Sequence, residues 1–198
     1  MPYACENEFH VRCLNNMTRL LYLFNLLIPI LIISSAVHGQ DISNKYPDLI
    51  KRVDQINQDR TLTMVTLKNE EFLTQVTDGG GDLIGYFKKE QVQKIRREIT
   101  FSYGTEIYDY YFTDGKLIFV YETLDGFIYV ESSGKFDYTK TERNFIGRYY
   151  FKDGNLIDSE TTGHNRFEDD TIDMENTLKK EMTDCRDKLI RKKSNKGH

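Results

Sequence analysis

Between Tyr108 and Glu122 the sequence reads YDYYFTDGKLIFVYE, two runs of aromatic and β-branched residues around Asp114-Gly115. An Asp-Gly pair accepts the left-handed φ values that a two-residue hairpin turn demands, so this stretch commits the chain to antiparallel ribbon. The phrase returns as RYYFKDGNLID from Arg148 to Asp158 and, without its glycine, as GYFKKEQVQKI from Gly85 to Ile95. Each time a Tyr-Phe pair (Tyr86-Phe87, Tyr111-Phe112, Tyr150-Phe151) precedes an apolar residue (Val92, Leu117, Leu156) by the same interval.

Further turn chemistry at Tyr103-Gly104-Thr105, Asp125-Gly126, Ser133-Gly134 and Asp153-Gly154 separates eight expected strands, 82–88, 92–103, 106–113, 116–123, 127–132, 135–138, 143–152 and 155–161. Joints this short cannot hold parallel crossovers, so the sheet is expected to be an antiparallel meander. Side chains alternate across it. Phe87, Phe112 and Phe151, with Val92, Leu117 and Leu156, form the expected core face, and Tyr86, Tyr111 and Tyr150 the other, provided no bulge at Gly115 or Gly154 shifts the phase.

Helical periodicity brackets the sheet. From Tyr46, Pro47 suits a first helical turn, and Leu49, Ile50, Val53 and Ile56 recur at three and four residues. Thr61 to Leu67 reads as a strand and is followed by a short helix. After Thr161 alternation stops, and Asp170 to Lys193 carries the stripe Leu178, Met182, Cys185, Leu189, with acids at its start and bases at its end as the helix dipole favours. Three consecutive glycines in TDGGGD, residues 77–82, mark a loop. Its alternative use, amides cradling an anion, lacks the downstream Gly-Lys-Ser/Thr of a phosphate loop.

The organisation read from this is 1–16 as an extension before a later start at Met17, 17–39 as a signal peptide, 40–76 as a helical entry segment, 77–161 as the sheet domain and 169–193 as a helix completing it. Arg19, an apolar run from Leu20 to Ile33, and small residues at Val37 and Gly39 make an export signal. With 14 residues interrupted by Asn25 and Pro29, that run is short of the roughly 20 needed to span a bilayer. Cleavage after Gly39 or Ala36 predicts a periplasmic or secreted protein that meets a membrane only through the signal before cleavage. Cys5 and Cys13 precede the run, which leaves Cys185 without a partner, so no structural disulfide is expected.

Chemistry is sparse. The 31 acidic and 27 basic residues are mixed along the chain, and no basic stripe points to nucleic acid. No Cys/His cluster suggests a metal and no motif suggests a cofactor. His164 sits in a polar loop without a nucleophile beside it, so no catalytic residue is assigned. Asp109, Glu122, Glu131 and Glu142 lie on or beside strands, where two carboxylates meeting across a ladder would suit a hydrolase; the alternative is a solvated sheet face. For recognition, Tyr86, Tyr111 and Tyr150, with Tyr108 and Tyr110 close by, form the candidate docking surface for a peptide, glycan or protein, since tyrosine supplies contact area at low rotamer cost. The competing reading is that a helix covers that face.

GYFKKEQVQKI, YYFTDGKLIFVYE and GRYYFKDGNLID, behind the TDGGGDL loop, resemble uncharacterised exported proteins of the Bacteroidetes, over about half of the chain. The aromatic-x-Asp-Gly-x-Leu unit is more distantly similar to MORN-type hairpin repeats, which implies an interaction module rather than an enzyme, although the intervals of 25 and 39 residues are irregular for such a solenoid. The sequence therefore predicts an α+β protein: an antiparallel meander sheet of seven or eight strands with its amino- and carboxy-terminal helices packed on the Phe/Leu face. The expected function is non-catalytic binding, with an envelope hydrolase or an inhibitor of an envelope enzyme as alternatives.

Overall fold

A computed structural model describes residues 45–75 and 77–195 of the protein. The leader, its cleavage sites, Cys5 and Cys13 lie outside the described residues. The chain forms an α+β meander. Seven strands, β1 (Thr63–Lys68), β2 (Gly81–Lys88), β3 (Gln91–Phe101), β4 (Gly104–Thr113), β5 (Lys116–Val130), β6 (Lys135–Lys152) and β7 (Asn155–Thr162), pair antiparallel in sequence order. Helix α1 (Pro47–Gln58) precedes them and α2 (Met174–Asn195) follows.

Turn chemistry sets the tight hairpins. Asp114 and Gly115 adopt φ of 51° and 75°, and Asp153 and Gly154 adopt 53° and 82°, the double left-handed geometry that matches strand twist. Where the glycine is missing, Lys89 takes the left-handed position at 56°. Each of these three hairpins also carries one extra residue just after the turn. The register slips between Tyr86 and Phe87, between Tyr111 and Phe112, and between Tyr150 and Phe151, which leaves Gln93, Ile118 and Ile157 unpaired on the returning strands. The bulge keeps Phe112 opposite Leu117 while Tyr110 still faces Val120, so all four side chains reach one core.

Phe87, Phe112 and Phe151 are buried together with Leu83, Ile95, Val120 and the stripe Leu178, Met182, Cys185, Leu189 of α2. Asp173 caps that helix by accepting the backbone amide of Asn176. Leu178 and Leu189 are fully buried, worth about 1.5–3 kcal/mol each in apolar transfer. The helix is held to the sheet's first half by Lys188, which donates to the Phe72 carbonyl at 3.0 Å, and by Lys193, 2.5 Å from Glu90.

Two expectations are corrected. Helix α1 does not share the Phe/Leu face with α2 but lies on the opposite one. Asn57 accepts from Lys94 and from the Tyr111 hydroxyl, both at 3.1 Å, Arg52 donates to Gln93 at 2.9 Å, and the Tyr46 ring sits 4.8 Å from that of Tyr150. Lys94, Tyr111, Phe119 and Tyr150 are aligned across four strands, one residue out of phase with Ile95, Tyr110, Val120 and Tyr149 beneath α2. On that side Arg52 and Asn57 find their acceptors and donors. The second correction concerns Asp125-Gly126, which is strand rather than turn. Gly126 pairs with both Gly104 and Glu142, and a Cβ on Gly104 would come within 2.5 Å of the Asp125 carbonyl oxygen. The glycines there permit close strand approach, so the expected strands 116–123 and 127–132 fuse into β5, and 135–138 and 143–152 into β6. With β1 added, seven strands result.

Candidate interaction surface

The tyrosines expected to form an exposed row are divided between the two faces and mostly buried, which corrects that expectation. Tyr111 and Tyr150 lie under α1, with Tyr86 partly buried beside them, while Tyr108 and Tyr110 lie under α2 and the segment that precedes it. Tyr111 receives a hydrogen bond from Lys94 at 3.0 Å. Tyr108 donates to Oε1 of Glu122, and Tyr149 donates to Oε2 at 2.7 Å. The Tyr149 ring reaches that carboxylate by folding over Gly147, where a Cβ would stand 2.7 Å from its hydroxyl. The guanidinium of Arg97 lies 4.4 Å from the centre of the Tyr108 ring, and Arg166 holds Glu181 of α2 at 2.5 and 2.8 Å. These phenols are interior structure: a sheet roofed on both sides buries the rings of either row.

The carboxylates do not pair in a cleft. Asp109 points to the α1 face, 3.2 Å from Lys94 and 3.4 Å from Arg96, whereas Glu122 points to the other. Glu131 and Glu142 are exposed. The carboxylate that shares a face with Glu122 is Glu106, which accepts from Arg97 at 3.2 Å. Burial raises both above the ordinary glutamate range. Each oxygen of Glu122 accepts from a buried tyrosine hydroxyl, so the carboxylate is bonded into the interior beneath α2 and the segment before it rather than into an open cleft. His164 is almost fully exposed and lies 3.1 Å from Glu168. Among the described residues no group of three or more metal-ligating side chains occurs. Burial likewise pushes the Cys185 thiol up to about 11.

The glycine loop spends its amides internally. Gly79 donates to Thr100, Gly80 to Thr77 and Gly81 to the Asn69 side chain. A cavity of about 550 Å³ lies between this loop and the short 3-10 turn at Asn69–Glu71, with Gln75, Thr74 and Leu73 on its wall. Among the described residues that line it, Glu70 is the one charged side chain.

What stands uncovered is elsewhere. Strands β5 and β6 outrun their neighbours. Pairing with β4 stops at Gly104–Gly126, and pairing with β7 stops at Ile146–Thr162. Beyond those points Phe127–Val130 and Lys135–Thr141 form a two-stranded arm. It carries Phe127 against Tyr138, ring centres 5.1 Å apart, and Tyr129 against Phe136, 5.4 Å apart, both edge to face. Tyr138 is 63% exposed, Tyr129 54% and Phe136 37%. At the arm's base the Phe127 amide donates to the Tyr103 carbonyl, and Tyr103, itself exposed, stacks on Phe101 at 5.3 Å. Tyr103, Tyr129, Phe136 and Tyr138 are four of the seven exposed large apolar residues among those described, so the uncovered aromatic surface is concentrated at one end of the sheet.

Sequence reasoning passed over these four residues because aromatics at alternate positions, Phe127 and Tyr129 or Phe136 and Tyr138, read as strand wherever they occur. The available signal was relative length: a hairpin closed at Ser133-Gly134 with no neighbour on either side long enough to cover it. No family model matches the chain, and no curated protein or solved structure is significantly similar to it.

Proposed function

We propose that this is a non-catalytic binding protein, exported through its amino-terminal signal to the periplasm or the cell exterior, which engages its partner through the aromatic arm of β5 and β6. The observation that carries the reading is the convergence of Tyr129, Phe136 and Tyr138, with Tyr103 at the base, on an arm beyond the reach of β4 and β7 pairing. Aromatic side chains combine large contact area with few rotatable bonds, which is why they dominate recognition surfaces. The engagement of Glu122 and Glu106 by interior donors supports binding over hydrolysis.

The test replaces Tyr129, Phe136 and Tyr138 together by Ser. These rings contact one another and Phe127 at the edge of the sheet, so their loss costs about 0.2–1 kcal/mol per pair and the fold is retained. Material retained from the cell envelope by the immobilised wild type is expected to be lost by the triple variant. Equal retention by both proteins refutes the assignment of the arm. Export is checked separately by the amino-terminal sequence of the protein recovered outside the cytoplasm, expected to begin at Gln40; a protein that keeps Met17–Gly39 contradicts it.

A further inference from the structure

Helix α2 packs on β1, β2 and β3. Farther across the same face, over β4, β5 and β6, lies the strap that joins β7 to α2, residues 163–173. Its Arg166 guanidinium is 5.5 Å from the centre of the Tyr108 ring, and its Phe167 ring stands edge to face with Tyr149, 5.8 Å away. Those are the two tyrosines whose hydroxyls hold Glu122. The strap therefore sits on both supports of one buried carboxylate. Its own attachment is light: every residue from Gly163 to Asp173 is exposed or half-buried, and the backbone bonds of Glu168 to Asn165, Asp169 to Arg166 and Ile172 to Asp169 close within it. Side chains tie it down, Arg166 to Glu181 of α2 and Phe167 to Tyr149. Segments with few buried contacts are the first parts of a fold to open.

Beneath the strap three carboxylates meet two guanidinium groups. Arg97 of β3 donates to Glu106 of β4 at 3.2 Å and lies 3.6 Å from Glu181, which Arg166 also holds. Glu122 of β5 is the most buried of the three, and its partners are hydroxyls rather than a guanidinium. Burial outweighs those hydroxyls and the attraction of Arg166, so Glu122 keeps its proton to higher pH than is usual for a glutamate. Glu106 is raised as well, but its contact with Arg97 supplies a counter-charge whether the strap is open or closed. The other titratable neighbours, Tyr108 and Tyr110 of β4, Tyr149 of β6 and Cys185 of α2, are raised by burial and stay protonated at neutral pH. On the strap itself His164 and Glu168 face solvent.

We infer that residues 163–173 form a proton-controlled lid, closed while Glu122 is protonated and opened toward water when it ionises. A buried carboxylate that becomes charged regains hydration when its cover lifts, and the bond from Arg166 to Glu181 is what the opening must break. Proton loss and opening are therefore linked, so the open population grows with pH. The lid is separate from the aromatic arm and does not depend on the role proposed for it.

The experiment is limited digestion of the whole protein by thermolysin between about pH 5 and 8, scored by mass at the bond between Arg166 and Phe167. This protease cuts before large apolar residues, and Phe167 must leave Tyr149 to enter its cleft. Dividing the rate by that of a free peptide of residues 162–171 in the same solution cancels the protease's own pH dependence and leaves the open population. For the wild type this ratio is expected to rise with pH, by at most about tenfold per pH unit for one proton. Glu122→Gln, which does not ionise, should give a flat ratio, and His164→Gln should rise like the wild type. Tyr149→Phe deletes a hydroxyl that favours the charged carboxylate, so its rise should begin at higher pH; this variant decides the matter if Glu122→Gln does not fold. A wild-type ratio that is flat, or that falls as attraction between ionised Glu122 and Arg166 would make it, overturns the inference. So does a rise that persists in Glu122→Gln, vanishes in His164→Gln or fails to shift in Tyr149→Phe.

Discussion

Gly85 and Leu189 test where α2 sits. Gly85 lies in β2 on the face that α2 covers, and a methyl added there would meet Phe87 Cε2 at 2.7 Å and the two δ-carbons of Leu189 at 3.0 and 3.2 Å. Gly85→Ala alone therefore overpacks the contact, at about 1–3 kcal/mol, offset by about 0.4–1 kcal/mol from the stiffer unfolded chain. Leu189 is fully buried, and Leu189→Ala costs about 2–5 kcal/mol through lost transfer energy and the cavity left behind. Combined, the two changes remove both δ-carbon clashes, and the new methyl occupies part of the vacated space. The double variant should then be more stable than the sum predicts by about 1 kcal/mol, outside the ~0.5 kcal/mol scatter of independent sites. Urea unfolding followed by far-ultraviolet circular dichroism provides the four free energies; the chain has no tryptophan to report instead. Each kcal/mol corresponds to about 2–4 °C in Tm for a protein of this size. Strict additivity would show that α2 does not press on β2 there.

Two further outcomes follow from buried groups. Glu122 has its folded pKa raised, first by burial, so its contribution to stability is complete below the ordinary glutamate value near 4.5 and is lost as pH rises through the folded value. Glu122→Gln removes that dependence; the stability of wild type relative to the variant should fall as pH is raised above 4.5, and a relative gain would contradict the burial of the carboxylate. Cys185 is buried and its thiol raised to about 11, so alkylation at pH 8, on the order of half a unit below a free thiol's value, should proceed at Cys185 only as fast as the protein unfolds. Rapid native-state modification, read by mass on the Cys185 peptide, would place that side chain at the surface.

The hairpins were legible because Asp-Gly states its backbone geometry locally, and the core face followed from alternation around it. The stripe of α2 was legible for the same reason: Leu178, Met182, Cys185 and Leu189 are the buried residues of that helix. Three things were not. Asp125-Gly126 has the composition of a turn, and only the approach of Gly104 from the neighbouring strand makes it extended. The amphipathic face of α1 shows that it must dock, but its side of the sheet depends on Arg52 and Asn57 finding Gln93, Lys94 and Tyr111, pairs 37 to 54 residues distant that periodicity does not register. Finally, a tyrosine's exposure depends on whether adjacent strands extend past it. Tyr111 and Tyr138 look alike in sequence and differ because β4 is hemmed by β3 and β5, whereas the arm has no flanks.

Pairing strictly in chain order has a consequence for biogenesis. Each strand can zip onto the one before it as the polypeptide is synthesised, without waiting for a distant partner. The roof over β1, β2 and β3 is different, because its helix is the last of the described elements to appear. Until Met174–Asn195 arrives, Leu83, Phe87 and Ile95 face solvent on a finished sheet, so a chain cut short before that helix would present a ready surface for misassociation rather than a smaller working protein.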